Sequence, residues 1–274
     1  MAMTDARREA RRMRTCGRKG QTAGQQAAQW RTNVDESVDP GGSAGTRLRP
    51  LTDTCPKPMA PIAGRPLLAW TLEWLRRYGV TDAALNLHHL PDVVREGLGD
   101  GARFGMQLHY AVETELRGTA GALHNFPGFF DQPFLVIYGD LLLDIDLNDL
   151  IRFHRQRRAL MTLALKCTDH PQSQGMVEVD ATGRVVRFVE KPVVWDGDDT
   201  ANAGVYVCEP EVVEWTPPGF SDFGHDIIPA MLRAGAPVYG RPLRGYLLDI
   251  GTPAAYAQAQ QEWSRRQSGI EGLL

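Results

Sequence analysis

A glycine turn, a hydroxyl group and several fixed cations occur close together near the start of the chain. The sequence reads Gly45-Thr46-Arg47-Leu48-Arg49-Pro50-Leu51-Thr52, and Pro56-Lys57-Pro58 follows shortly after. Backbone N–H groups, guanidinium groups and ammonium groups are the donors that suit phosphate oxygens. The two prolines hold the backbone extended around one lysine, which indicates a positioned side chain. We therefore predict a triphosphate site formed by Gly45, Thr46 and Arg47, with Lys57 on the α-phosphate or on an incoming phosphate.

Two aspartates follow apolar segments that are typical of buried strands. Asp140 comes one glycine after the segment 134–138, and Asp249 comes directly after the segment 246–248. Ligands of open α/β sheets bind beyond the carboxyl ends of the strands, and Mg²⁺ prefers carboxylate and phosphate oxygens. Each aspartate by itself could equally cap a turn. As a pair beside a phosphate loop, they predict a shared Mg²⁺ site.

Two further motifs carry groups that can contact a nucleoside or a sugar. Small residues in the stretch 115–122 would let a base or ribose approach the backbone, although a tight packed turn would look the same. The candidate nucleotide-binding residues there are Gly118, Thr119 and Gly121. Farther along, Glu190, Lys191 and Asn202 supply a carboxylate, an ammonium and an amide, which can hold sugar hydroxyls and a sugar phosphate. A solvated strand end is the alternative interpretation of Glu190 and Lys191.

The composition excludes several classes of protein. The 274 residues carry a net charge of −3 and are 43% hydrophobic, which is typical of a globular protein and predicts no general nucleic-acid binding. No apolar run approaches the roughly 20 residues that cross a bilayer, so we expect no membrane insertion. The four cysteines form no CxxC pair, which favours a cytoplasmic location. Few of the 30 basic residues are lysines, so Lys57 and Lys191 are expected where a compact charge is needed.

The hydrophobic pattern predicts the elements that must position these groups. Leu68, Leu72 and Leu75 lie on one face of a predicted helix that ends at Gly79, and the segment 80–90 is predicted to be a strand. Further strands are predicted at Gln107–Val112, Phe134–Tyr138, Leu160–Leu165, Val185–Val189, Gly204–Val207 and Tyr246–Ile250, and helices at Leu147–Arg157, Asp226–Arg233 and Thr252–Arg266. This alternation predicts an α/β fold with a mostly parallel sheet covered on both faces.

The first 40 residues differ from the remainder of the chain. Between Met1 and Arg47 there is no Leu, Ile, Phe or Tyr, and Arg, Gln, Ala and Thr are abundant. Such a segment buries too little apolar surface to offset the entropy of ordering. We therefore predict that residues 1–40 are disordered or not native to the fold, that residues 41–266 form one domain, and that residues 267–274 are a tail.

Together the motifs resemble those of the sugar-1-phosphate nucleotidylyltransferases, also called NDP-sugar pyrophosphorylases. The chain follows the family pattern from Gly45 to Pro58, and it matches again at residues 118–121, 139–140, 190–192, 202–204 and 249–253. The resemblance implies a Rossmann-like, three-layer, mostly parallel mixed sheet, and it adds Gly175 to the sugar-binding residues. The family has a buried strand before the glycine loop. Residues 32–40 are polar here, so we expect that first strand to be missing or altered.

The resemblance also implies a reaction. An NTP and a sugar 1-phosphate would give an NDP-sugar and pyrophosphate, with Mg²⁺ held by Asp140 and Asp249. The implied catalytic residues are Arg47, Lys57, Asp140 and Lys191. The chain looks most like the short single-domain bacterial enzymes of the mannose-1-phosphate guanylyltransferase kind, so GTP with mannose or heptose 1-phosphate is the expected substrate pair. Assembly into a homo-oligomer is left open.

Two other functions are compatible with part of the pattern. A damaged first strand would suit a non-catalytic protein that binds nucleotides or nucleotide sugars. A metal-dependent glycosyltransferase usually carries Asp-x-Asp, and Asp144-Ile145-Asp146 has that spacing. No strong apolar strand directly precedes this second motif, however, and such an enzyme has no use for Pro56-Lys57-Pro58. The glycosyltransferase is therefore ranked below the other two functions.

Overall fold

The computed structural model describes residues 30–35 and 46–267. The strands in this part are β1 (Trp30–Asp35), β2 (Pro61–Ile62), β3 (Arg65–Pro66), β4 (Val80–Leu87), β5 (Gln107–Val112), β6 (Phe134–Tyr138), β7 (Leu141–Ile145), β8 (Met161–Cys167), β9 (Gly175–Val179), β10 (Val185–Glu190), β11 (Thr200–Cys208), β12 (Val238–Pro242) and β13 (Gly245–Asp249). The α-helices are α1 (Leu51–Thr54), α2 (Leu67–Arg77), α3 (Pro91–Leu98), α4 (Gly118–Gly121), α5 (Leu147–Arg157), α6 (Ile228–Arg233) and α7 (Pro253–Gln267).

Nine of the described strands form one mixed sheet. Along its main path the order is β10, β9, β11, β6, β1, β4 and β5, and β8 joins β11 to β12. The strands β6, β1, β4 and β5 run parallel, whereas β11 is antiparallel to β6 and β8. Two large hydrophobic clusters pack against this sheet and a smaller one lies under α7. The predicted α/β class with a mixed sheet is confirmed. Because parallel strands end at one edge, the segments that follow them meet there.

The first strand is present, which corrects the expectation that it is missing. β1 occupies the middle of the sheet, where Val34 pairs with Leu85 of β4 and with Ile137 of β6. Its two large apolar side chains, Trp30 and Val34, are both buried. Residues 30–35 therefore belong to the fold. The predictions for residues 1–29, 36–40 and 268–274 concern segments outside the described residues and stay predictions.

β1 differs from an ordinary central strand because it buries polar side chains. Thr32 Oγ1 donates a hydrogen bond to Leu135 O at 3.3 Å, and Asn86 Nδ2 donates one to Asn33 Oδ1 at 2.9 Å. These bonds replace part of the contacts with water that the two side chains lose on burial, since Asn33 Nδ2 has no hydrogen-bond partner among the described residues. The prediction of disorder failed here because it counted only the hydrophobicity of the segment. The neighbouring strands supply the partners, and they cannot be recognised in the composition of residues 30–35.

The helix α2 buries the face that its leucine spacing predicts. Leu68, Leu72 and Leu75 are all buried against the sheet. The helix begins after Pro66, and the chain leaves it through Gly79, whose φ of +82° is a conformation that glycine adopts without strain. This helix packs against β4 of the main sheet and against β7, which pairs with β13 in a separate two-stranded sheet.

Most predicted elements agree with the structure, and five strands besides β1 were missed. β5, β6 and α5 have the predicted bounds, whereas the strand predicted over residues 80–90 ends at Leu87. The five missed strands are the two-residue strands β2 and β3, together with β7, β9 and β12. β7 begins directly after the turn at Gly139 and Asp140, and it pairs with β13, which is distant in sequence, so its pairing leaves no local signal. In residues 30–35 and 46–267, none of the helices combines the length and the apolar character needed to cross a membrane.

Candidate functional site

A cavity of about 660 Å³ opens at the carboxyl-terminal ends of strands in the central part of the fold. It brings together predicted site residues from across the chain: Arg47, Lys57, Thr119, Asp140, Gly175, Glu190, Lys191, Asn202 and Asp249. Every lysine in the described part, namely Lys57, Lys166 and Lys191, lines this one cavity. Such a concentration of compact positive charges suits a ligand with several phosphate groups.

The Pro-Lys-Pro segment delivers its lysine to the first aspartate. Pro56 is extended, with φ of −64° and ψ of 148°, and residues 57–59 form one 3₁₀ turn. The side chain of Lys57 is only 8% exposed, and its Nζ lies 3.8 Å from Asp140 Oδ2. A buried ammonium and a buried carboxylate at this distance compensate each other's charge. The backbone at Lys57 is a 3₁₀ turn and not extended as predicted from the two prolines, yet the burial of the side chain shows that Lys57 is held in place rather than solvated.

The strands β7 and β13 bring the two aspartates to the same point. They pair antiparallel with Asp249 opposite Leu141, and Ile250 N–H donates to Asp140 O at 3.1 Å. Asp249 Oδ1 in turn accepts a hydrogen bond from Gly251 N–H at 2.7 Å. The described residues contain no cluster of three or more His, Cys, Asp or Glu placed to hold a metal. A pair of carboxylates completed by substrate phosphates is, however, a common arrangement for Mg²⁺.

Lys166 is a cavity residue that the sequence interpretation missed. It lies on β8 and lines the cavity together with both aspartates. Burial lowers the pKa of the Lys166 ammonium, and the carboxylates of Asp249 and Asp140 oppose that shift. The ammonium group of Lys166 is therefore close enough to both carboxylates to interact with them electrostatically. The scarcity of lysine in the chain was the available signal, and it was applied only to Lys57 and Lys191.

The guanidinium of Arg47 stands at the rim of the cavity near the second aspartate. A Cβ atom built on Gly251 would lie 2.9 Å from Asp249 Oδ1 and 3.9 Å from Arg47 Nη2, so all three groups are close neighbours. Thr46 begins the short 3₁₀ turn that carries Arg47. Gly45 lies outside the described residues. The predicted phosphate contacts of Gly45 and Thr46 therefore stay predictions.

The carboxylate of Glu190 lines the cavity and is enclosed by two glycines. A Cβ built on Gly175 would lie 2.6 Å from Glu190 Oε2, and a Cβ on Gly224 would also collide with it. These glycines leave the space that the carboxylate occupies. Burial raises the pKa of Glu190, and Asp222 adds to the rise, while Lys191 and His225 oppose it. Two carboxylates, those of Glu190 and Asp222, therefore lie close together in the cavity, with Lys191 beside them.

The small-residue stretch packs against the loop at residues 219–221. Gly118 has φ of +72°, and a Cβ there would lie 2.5 Å from Ser221 O. The N–H groups of Ala120 and Gly121 both donate to that same oxygen. Packing thus accounts for the glycines at residues 118 and 121, and their contact with a base or ribose stays a prediction.

Thr119 connects this stretch to the cavity. Its Oγ1 donates a hydrogen bond to Asp222 Oδ2 at 2.8 Å and accepts one from Phe223 N–H at 2.9 Å. Both Thr119 and Asp222 line the cavity. Asp222 was not predicted as a site residue, because nothing in the sequence places the segment around residue 222 beside the segment around residue 119.

The Asp-x-Asp motif at residues 144–146 lies outside the cavity. Asp144 forms an ion pair with Arg77 at 3.0 Å. The carboxylate of Asp146 accepts a hydrogen bond from Asp149 N–H at 3.1 Å and so caps the start of α5. Neither aspartate is among the residues that line the cavity. This geometry does not support the glycosyltransferase interpretation of the motif.

Comparisons with proteins of known sequence agree with this arrangement. A sequence model of the family described as "Nucleotidyl transferase" matches residues 40–266. A UTP–glucose-1-phosphate uridylyltransferase from Synechocystis is 36% identical over 231 residues, which cover 78% of this chain and 60% of that protein. A mannose-1-phosphate guanylyltransferase from Mycobacterium tuberculosis is 37% identical over 235 residues, which cover 85% of this chain and 65% of that protein. The chain thus spans about three-fifths of the length of these relatives.

Solved structures show the same fold at lower sequence identity. A UDP-glucose pyrophosphorylase complexed with UDP-glucose superposes with a TM-score of 0.72 at 18% identity, covering 87% of this chain and all of that one. HddC from Yersinia pseudotuberculosis superposes with a TM-score of 0.71 at 24% identity, covering 85% and 99% respectively. These similarities concern the arrangement of strands and helices. The family match includes both the phosphate loop and the two strand-end aspartates, and the chain therefore belongs to the nucleotidyl transferase family.

Proposed function

We propose that this protein transfers a nucleotidyl group from an NTP to a sugar 1-phosphate, giving an NDP-sugar and pyrophosphate. The observation that carries the proposal is the cavity in which Lys57, Lys166 and Lys191 stand with Asp140 and Asp249. Family membership and relatives named as sugar-1-phosphate nucleotidyltransferases support the same reaction. A cavity that combines cations with a pair of carboxylates suits two phosphate-bearing substrates bound side by side.

In this reaction an oxygen of the sugar 1-phosphate attacks the α-phosphorus of the NTP. A new P–O bond forms to the α-phosphorus, the bond from that atom to the α–β bridging oxygen breaks, and pyrophosphate leaves with the electron pair. We assign Arg47 to the leaving phosphates, Lys57 to the α-phosphate, and Lys191 to the phosphate of the sugar. These cations lower the barrier by neutralising negative charge and by holding the reacting groups in line.

We propose that Asp140 and Asp249 hold Mg²⁺. Their position on hydrogen-bonded strand ends, within reach of a common lysine, fits a site completed by phosphate oxygens. When bound, Mg²⁺ supplies charge neutralisation between the two reacting phosphates. With phosphate in the site, Lys57 would contact the phosphate in place of Asp140, and Lys166 would balance negative charge of the two carboxylates.

For the substrates we propose GTP with mannose or heptose 1-phosphate. Several relatives are named mannose-1-phosphate guanylyltransferases or guanyltransferases, including the one from Mycobacterium tuberculosis. The relative from Synechocystis is named a UTP–glucose-1-phosphate uridylyltransferase at nearly the same identity, so UTP with glucose 1-phosphate is the pair to compare. The carboxylates of Glu190 and Asp222 and the amide of Asn202 form the end of the cavity that we assign to the sugar.

A screen of pyrophosphate release tests the proposal. GTP, UTP, dTTP and ATP are each combined with mannose, glucose and heptose 1-phosphate, with and without Mg²⁺, and released pyrophosphate is measured with a coupled pyrophosphatase. We expect release that requires Mg²⁺ and both substrates, with GTP preferred. Thermal stabilisation by a nucleotide without any pyrophosphate release would contradict the proposal and would instead indicate a non-catalytic binding protein.

A further inference from the structure

A chain of hydrogen bonds beneath the cavity ends at a tyrosine hydroxyl. Asn202 Nδ2 lies 2.7 Å from Tyr206 Oη, and Tyr206 Oη lies 3.0 Å from Tyr138 Oη. Asn202 and Tyr206 are buried, whereas Tyr138 is half-buried and lines the cavity. The reaction proposed above gives no role to either tyrosine.

The amide of Asn202 sets the start of this chain. Gly204 N–H can only donate, and it donates to the Asn202 side-chain oxygen at 3.1 Å. The other end of that amide is therefore NH₂, which donates to Tyr206 Oη. The Tyr206 hydroxyl in turn donates to Tyr138 Oη. Tyr138 thus accepts one hydrogen bond and keeps its own proton to donate, and the described residues include no acceptor for that proton.

The ring of Tyr138 is held in one place. A Cβ built on Gly204, whose φ is +73°, would lie 2.9 Å from Tyr138 Cδ2, so the glycine leaves just enough space for the ring. The ring also meets that of Tyr206 edge to face, with centroids 5.8 Å apart. Burial raises the pKa of the Tyr138 hydroxyl well above its usual range, and the charges of Asp222 and Glu190 add to the rise. The hydroxyl therefore keeps its proton at neutral pH.

We propose that Tyr138 donates a hydrogen bond to one ring hydroxyl of the sugar and so helps to select it. This inference rests on the proposed function. The neighbouring carboxylates of Glu190 and Asp222 disfavour a phosphate at this point, because like charges repel. A sugar hydroxyl can accept the proton of Tyr138 and donate its own proton to a carboxylate, so it satisfies both kinds of neighbour. A sugar that lacks this hydroxyl leaves the tyrosine and the carboxylate without a partner.

The test compares binding of complete and deoxygenated sugars. Mannose 1-phosphate and glucose 1-phosphate, with the monodeoxy analogues of each, are titrated into the wild-type protein and into Tyr138→Phe, and dissociation constants are measured by calorimetry. We expect one monodeoxy analogue to bind wild type about tenfold more weakly than its parent, as the loss of a hydrogen bond implies. Tyr138→Phe should bind the parent about tenfold more weakly and should show a smaller difference between parent and analogue.

Two more variants distinguish the loss of the hydrogen bond between Tyr138 and the sugar from a general disturbance of the protein structure. Tyr239→Phe removes a half-buried hydroxyl outside the cavity and should leave every dissociation constant unchanged. Tyr206→Phe breaks the chain and should weaken binding of the parent sugar, with wild-type affinity for nucleotide.

The inference is overturned if wild type and Tyr138→Phe show the same ratio of dissociation constants between the parent sugar and its monodeoxy analogues. It is also overturned if the wild-type protein binds neither sugar 1-phosphate. Binding with the expected pattern but without pyrophosphate release overturns only the proposed function.

Discussion

Replacing Lys57 by methionine is the sharpest test of the cavity electrostatics. The Lys57 and Asp140 side chains are 8% and 12% exposed, and Nζ lies 3.8 Å from Oδ2. Two unit charges at that distance attract each other by about 4 kcal/mol at an effective dielectric constant of 20. Methionine keeps most of the side-chain volume but removes this attraction. Breaking a buried pair from one side typically costs about 3 to 5 kcal/mol. Because Lys166 still faces Asp140, we expect about 3 kcal/mol of lost stability.

The same substitution is expected to lower turnover. Loss of one charged contact to the reacting phosphates raises the barrier by about 3 kcal/mol, which is about a hundredfold in rate. Urea unfolding measures the free energy of unfolding, and pyrophosphate release under saturating substrates measures turnover. The variants to compare are Lys57→Met, Asp140→Asn and the double substitution. The double variant should lose less stability than the sum of the single losses, since it leaves no charge unpaired.

A matched control comes from an ion pair on the surface. Arg77 Nη2 lies 3.0 Å from Asp144 Oδ1, but these side chains are 60% and 38% exposed. Arg77→Met should therefore cost no more than about 1 kcal/mol and should leave turnover unchanged. Turnover of Lys57→Met within about threefold of wild type would refute the assigned role of Lys57. If the double variant lost as much stability as the two single variants together, the proposed interaction between Lys57 and Asp140 would be refuted.

Three further predictions concern other parts of the structure. Lys166→Met should lower the rate of pyrophosphate release about a hundredfold. The control Arg233→Gln removes an exposed cation outside the cavity and should not change this rate. Equal rates in the two variants would contradict the role of Lys166. Burial raises the pKa of Glu190 in the folded protein. Above about pH 4.3 the folded protein therefore binds more protons than the unfolded chain. The free energy of unfolding falls for this reason as the pH rises through the folded-state pKa of Glu190. Glu190→Gln should remove this loss, so urea unfolding at a series of pH values should show the variant gaining stability relative to wild type from about pH 4 upward. Deleting residues 1–35 removes β1 and leaves β4 and β6 each without a partner on the side that faced β1, in the middle of the sheet, so circular dichroism should show no cooperative thermal unfolding. A cooperative transition near that of the full chain would contradict the central position of β1.

The sequence was informative where one segment carries both a motif and its local geometry. Pro56 and Pro58 restrict the backbone around Lys57 whatever the remainder of the chain does, and Lys57 lines the cavity, while its contact with phosphate stays a prediction. The apolar segment 134–138 likewise marks β6, with Asp140 at its end. In these cases the side chain and the element that positions it are neighbours along the chain, so local patterns contain enough information.

The interpretation failed where the partners are distant in sequence. β1 was taken as disordered because Thr32 and Asn33 are polar, yet both are buried and hydrogen bond to other strands. Lys166 and Asp222 carry no motif, and only the arrangement of β8 and of the segment after residue 219 brings them into the cavity. Burial and hydrogen bonding depend on what packs against a residue, which a window of sequence does not contain.

By itself, the sequence determined the alternation of strands and helices, the restriction of the backbone around Lys57, and the two aspartates at strand ends. The tertiary structure decided that β1 completes the middle of the sheet, that the pairing of β7 with β13 unites Asp140 with Asp249, and that Tyr138 faces the cavity. The physical reason is the range of the interactions. Backbone restriction and hydrophobic periodicity act over a few residues, whereas strand pairing, desolvation and charge compensation act between segments that only the folded chain brings together.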